Sequence, residues 1–75
     1  MKTYRDIGGD SGVSAYEYDA KSIRVQFKDG AVYEYTAASA GQSNIDAMKR
    51  LADGGDGLNS FILKIVKKRY SRKIR

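Results

Sequence analysis

Neither a cysteine nor a histidine occurs in the 75 residues, and that absence constrains the fold more than any motif does. No disulfide and no ordinary structural zinc site can staple a chain this short. A domain near the lower end of what folds alone must then rest on one hydrophobic core, with modest stability. The expectation is a single domain over residues 13–70, with a flexible lead-in at 1–12 and a basic tail at 71–75. Proline is also absent, so eight glycines carry the punctuation. No apolar run approaches the roughly 20 residues of a membrane-spanning helix. Met1–Asp6 lacks the apolar core of a signal peptide. The chain reads as soluble and cytoplasmic, with no membrane partner.

The core-forming pattern begins with strands. A short strand fits Thr3–Ile7 within the lead-in. Val13–Tyr18 reads as the first main strand, and Asp19–Ser22 as a turn. Ile23, Val25 and Phe27 then alternate with Arg24, Gln26 and Lys28, as in a half-buried strand. Asp29-Gly30 is a strong hairpin signal, and Ala31–Thr36 returns as the third strand.

The hairpin register decides where the tyrosines point. A two-residue loop pairs Phe27 with Val32 and puts Tyr33 and Tyr35 beside Arg24, Gln26 and Lys28. A three-residue loop with Gly30 as a bulge pairs Phe27 with Ala31, and Tyr33 and Tyr35 then join Ile23, Val25 and Phe27. The two exclude each other, because a one-residue slip flips every side chain. The scarcity of core in so short a chain favours the second.

Residues 37–42 read as a loop of small residues. Ser43, supported by Asp46, is placed to cap a helix in which Ile45, Met48, Leu51 and Ala52 share a face, with Lys49, Arg50 and Asp53 outward. Gly54-Gly55 ends it, and Asp56 is placed to cap a second helix over 57–70. In that helix Leu58, Phe61, Ile62, Ile65 and Val66 make the apolar face. Lys64, Lys67, Lys68 and Ser71 cluster opposite. The expected fold is therefore α+β: a three-stranded antiparallel sheet followed by two helices packed on one face.

Catalysis finds little support. General acid–base work at neutral pH leans on histidine, tuned carboxylates or metal-bound water. Gly9-Asp10-Ser11-Gly12 resembles a serine-protease nucleophile loop, but no imidazole exists to act as its base. Asp53-Gly-Gly-Asp56-Gly57 offers two carboxylates, yet the bidentate acid a calcium loop needs does not follow, nor does the Lys-Ser/Thr of a phosphate loop. A helix stop followed by a helix cap explains that segment. No enzyme activity, catalytic residue, metal site or cofactor is expected.

Charge points elsewhere. The net charge is +5, unevenly spread. Residues 1–57 hold seven cations and all nine acids. Residues 58–75 hold Lys64, Lys67, Lys68, Arg69, Arg72, Lys73 and Arg75, with no acid. A solvated face with cations suited to the helix dipole explains three or four of these, since the dipole's influence fades within a turn. The excess points to an anionic partner. An anionic membrane is disfavoured because the helix's apolar face is needed for the core.

Six tyrosines are the other excess, with Tyr16 and Tyr18 flanking one glutamate and Tyr33 and Tyr35 another. Exposed beside Arg24 and Lys28, Tyr33 and Tyr35 would stack on single-stranded bases. Buried, they are core with hydroxyls at the rim.

Ser11, Val13, Tyr16, Tyr18-Asp19, then Ile23, Val25, Phe27, Gly30, Tyr33 and Tyr35, and later Gly57, Leu58-Asn59, Ile62 and Tyr70 together resemble the KTSC domain. This is a short module found at the C-terminus of some lysyl-tRNA synthetases and as a stand-alone bacterial or phage protein. The resemblance spans residues 11–70. The chain departs from the pattern at the absent Val-Pro before the first helix and at Leu58, where the family has an aromatic. The resemblance implies a non-enzymatic domain for which RNA binding has been suggested.

The expected function is a small nucleic-acid-binding module, RNA ahead of DNA. Lys64, Lys67, Lys68, Arg69, Arg72 and Lys73 would contact phosphate, with Arg24, Lys28, Tyr33 and Tyr35 as a second surface. The alternative is a bacterial or phage adaptor or inhibitor docking on an acidic protein surface. A monomer or a weak homodimer through a sheet edge fits either.

Overall fold

In the computed structural model, which describes residues 1–9 and 11–75, the Asp29-Gly30 turn fixes the sheet. The Phe27 N–H donates to the Ala31 carbonyl at 2.8 Å, and the Gly30 N–H to the Phe27 carbonyl at 2.9 Å. Gly30 takes φ 92°, a conformation that favours glycine. The loop is thus the three-residue one, and strands β3 (Ser22–Phe27) and β4 (Val32–Thr36) pair with Val25 opposite Tyr33 and Ile23 opposite Tyr35. Tyr35 joins Ile23 and Val25 in the core, while Tyr33 is only half-buried.

Strand β2 (Val13–Tyr18) pairs with β3 through a bulge between Val13 and Ala15. The bulge lets both Val13 and Tyr16 face inward although they are three residues apart. The turn at Asp19 is closed by its own carboxylate, which accepts from the Lys21 N–H and the Ser22 hydroxyl.

The sheet is larger than the three strands expected. Strand β1 (Lys2–Thr3) adds to β2, and β5 (Arg72–Lys73) adds to β4, giving five antiparallel strands in order β1-β2-β3-β4-β5. The short strand expected at Thr3–Ile7 within a flexible lead-in lies at Lys2–Thr3 instead, and the residue after it, Tyr4, is in the core at 3% exposure. Residues 71–75, expected as a tail, run along β4. Ser71 donates to the Glu34 carbonyl, Ile74 to that of Val32, and the Val32 N–H to the Arg75 carbonyl.

The helices cover one face of this sheet. Residues 37–40, expected as loop, form a short helix, α1 (Ala37–Ala40). Thr36 and Ser39 cap it reciprocally, each side-chain oxygen accepting the other's N–H at 3.1 and 3.0 Å. Helix α2 (Gln42–Gly54) has Gly41 at its N-cap, ahead of the expected Ser43 cap. It buries Ile45, Met48 and Ala52, with Leu51 half-buried.

Helix α3 (Leu58–Phe61) continues into a π-helical turn, Ile62–Val66, and stops four residues short of the expected end. Asp56 does not cap it. The Leu58 N–H donates instead to the buried Tyr4 hydroxyl at 3.3 Å. The wider turn keeps Ile62 and Val66 inside but leaves Ile65, expected in the core, 49% exposed. Like charges three and four residues apart (Lys64 with Lys67 and Lys68) oppose continuing the helix, and the chain turns back toward β4. Among the described residues, no helix is long and apolar enough to cross a membrane.

Candidate nucleic-acid interface

Charge on the outer face of the sheet is matched residue by residue. Glu17, Arg24, Glu34 and Arg72 lie opposite one another on β2, β3, β4 and β5. Arg24 donates to Glu17 at 2.7 Å and to Glu34 at 2.9 Å, and Arg72 donates to Glu34 at 2.9 Å. Burial alone would raise the Glu34 carboxyl, but the bonds from Arg24 and Arg72 outweigh it and hold the group below its ordinary value. Arg24 and Arg72 are thus held by carboxylates. Lys28 is likewise held by Asp6 at 2.9 Å.

The C-terminal segment is different. Among the described residues, Lys64, Lys67, Lys68, Arg69, Lys73 and Arg75 make no ion pair, and all are exposed. They project from the π turn, from the bend after it, from β5 and from the residues that follow it, so this end of the chain concentrates uncompensated positive charge.

An open cleft of about 480 Å³ adjoins this segment. Its walls come from four places: Gly12 ahead of β2, Phe27, Lys28, Asp29 and Ala31 at the hairpin end, Tyr33 and Tyr35 on β4, and Ile62, Leu63, Lys67 and Tyr70 from the turn and bend. The rings pack edge to face. Tyr33 and Tyr70 have centroids 4.8 Å apart, Phe27 and Tyr33 are 5.8 Å apart, and Tyr35 and Tyr70 are 6.3 Å apart. The Lys73 ammonium lies 5.8 Å from the Tyr33 centroid.

The residues expected as a second surface are therefore divided. Tyr33, Tyr35 and Lys28 share the cleft, because Lys28 sits in the loop beyond the strand's alternation. Arg24 is on the opposite face of the sheet, in the carboxylate ladder. Tyr35 is 1% exposed and offers no free ring. Tyr70, Phe27 and Leu63 also line the cleft, beyond the expected site residues. The one available signal was Tyr70 itself, an aromatic set among Arg69, Arg72 and Lys73.

The two stretches with a superficial catalytic or metal look have structural roles where they are described. Asp10 lies outside the described residues. The Ser11 hydroxyl accepts from the Val13 N–H at 3.1 Å. Asp53 accepts from the Tyr16 and Tyr18 hydroxyls, both at 2.7 Å, and these bonds hold its carboxyl below its ordinary value. Gly55 ends α2 in the left-handed conformation. Among the described residues no cluster of three or more potential metal-ligating carboxylates occurs.

No family model, curated protein or solved structure matches this chain.

Proposed function

We propose that the chain is a small non-enzymatic module that binds nucleic acid, RNA ahead of DNA, through its basic C-terminal segment. The observation that carries this reading is the division of charge. The arginines on the sheet are neutralised by carboxylates, while Lys64, Lys67, Lys68, Arg69, Lys73 and Arg75 are exposed without an ion pair among the described residues. Phosphate is the partner that answers such a segment without requiring a matching side-chain geometry. Membership of the KTSC family is part of the proposal, and Phe27, Tyr33, Tyr35 and Tyr70, which carry much of that resemblance, meet in the cleft. A cytoplasmic monomer is the simplest form.

The test is binding of labelled tRNA and of single-stranded RNA at low salt, against a neutral polymer. Binding that exceeds the neutral control and weakens steeply with salt supports the proposal; equal binding ends it. The rival, an adaptor on an acidic protein surface, gains from Leu63 and Ile65, which are 59% and 49% exposed between the cations. It predicts one defined protein partner whose co-purification survives nuclease treatment.

A further inference from the structure

The cleft and the cations around it ask for two different things. The walls are mainly aromatic and aliphatic, and their charge is close to balanced. Lys28 is paired with Asp6, and the other two charged wall residues, Asp29 and Lys67, are of opposite sign. Such an interior suits a neutral, flat group with polar edges. A carboxylate-bearing ligand would meet Asp29 inside the cleft. At its edge, Lys73 over the Tyr33 ring and the exposed Lys67 suit anions. A neutral planar group and an anion within one repeat of each other describe a nucleotide in a single strand. In a duplex the base faces are stacked and out of reach.

We propose that this cleft receives one unpaired nucleobase of a single-stranded RNA, against Tyr33 and Tyr70, while the flanking phosphates lie on Lys67 and Lys73. The inference rests on the RNA-binding reading and adds to it where the base goes. Its volume of about 480 Å³ falls in the range of ~300–1,000 Å³ typical of clefts that hold small ligands. Tyr70 is 38% exposed, so its ring is available to a ligand as well as to Tyr33. The Asp29 carboxylate can accept from an exocyclic amine.

The test compares, on the unaltered protein, a short single-stranded RNA with an abasic ribose-phosphate chain of the same length and charge. The abasic chain should bind about tenfold more weakly with the same salt dependence, as expected for losing one base–aromatic stack. Tyr70→Leu, with its fold checked by circular dichroism, should remove that difference and leave the affinity for the abasic chain unchanged. Equal binding of the two chains by the unaltered protein overturns the base site and leaves the RNA reading standing. Failure of both chains to bind at low salt removes the RNA reading and the base site with it. An acidic tyrosine-containing peptide that binds as tightly as RNA, and is weakened by Tyr70→Leu, also overturns it.

Discussion

At the residue scale, adjacent glycines at the end of α2 should respond to the same substitution with opposite signs. Gly55 has φ 74°, and a Cβ there would stand 2.7 Å from the Arg5 Cβ. Gly55→Ala should cost about 1–2 kcal/mol from the left-handed conformation alone, and more from the clash. Gly54 is helical with open space around it, so Gly54→Ala should stabilise by about 0.4–1 kcal/mol. Urea unfolding of the two variants checks both signs. The tyrosines set a limit at alkaline pH. Burial, aided for Tyr16 by the Asp53 carboxylate, pushes Tyr16 and Tyr35 up to about 12. A phenol raised above its unfolded value contributes stability that is complete below pH ~10 and is lost as pH rises through the folded value. Melting temperature should therefore fall between pH 10 and 12, with the phenolate absorbance of these two rings appearing last. A flat melting temperature across that window would show that the rings are not held neutral by the fold.

At the element scale, β5 is the least self-sufficient piece. It has two residues and is tied to β4 by the backbone bonds around Val32 and Glu34 and by Arg72 on Glu34, 38 residues away in sequence. Deleting residues 71–75 should speed amide hydrogen exchange at Val32, whose N–H loses the Arg75 carbonyl, while amides shared by β2 and β3 keep their protection. Unchanged exchange at Val32 would contradict the pairing. The same elements show what the sequence makes legible. The face of α2 could be read because Ile45, Met48 and Ala52 repeat at helical spacing, and the β3–β4 register followed from how much core a short chain needs. A two-residue strand has no periodicity to read, so β5 was invisible. The end of α3 is not legible in the sequence, because apolar spacing continues through Ile65 while repulsion among Lys64, Lys67 and Lys68 and the packing of Tyr70 on Tyr33 favour a turn. Capping by Tyr4 was also hidden, since its partner Leu58 is 54 residues away.

At the scale of the whole molecule, charge is sorted by place. The sheet's outer face carries alternating, mutually satisfied charges. The segment from the π turn to the C-terminal strand carries, besides Arg72 on Glu34, six cations that make no ion pair among the described residues. That excess was legible in composition alone. The cleft beside it was not, because its walls come from the hairpin end, β4 and the bend at Tyr70, which only the fold brings together. The uncompensated cations, rather than the total charge, should set affinity for a polyanion. The most direct measurement is the salt dependence of single-stranded RNA affinity for the unaltered protein, for Lys64→Gln/Lys67→Gln/Lys68→Gln, and for Arg50→Gln, an exposed cation on α2. The triple variant should bind more weakly and lose about 0.7 from the log–log salt slope for each phosphate contact removed, while Arg50→Gln leaves the slope unchanged. Equal slopes for all three proteins would contradict the claim that this segment is the nucleic-acid interface.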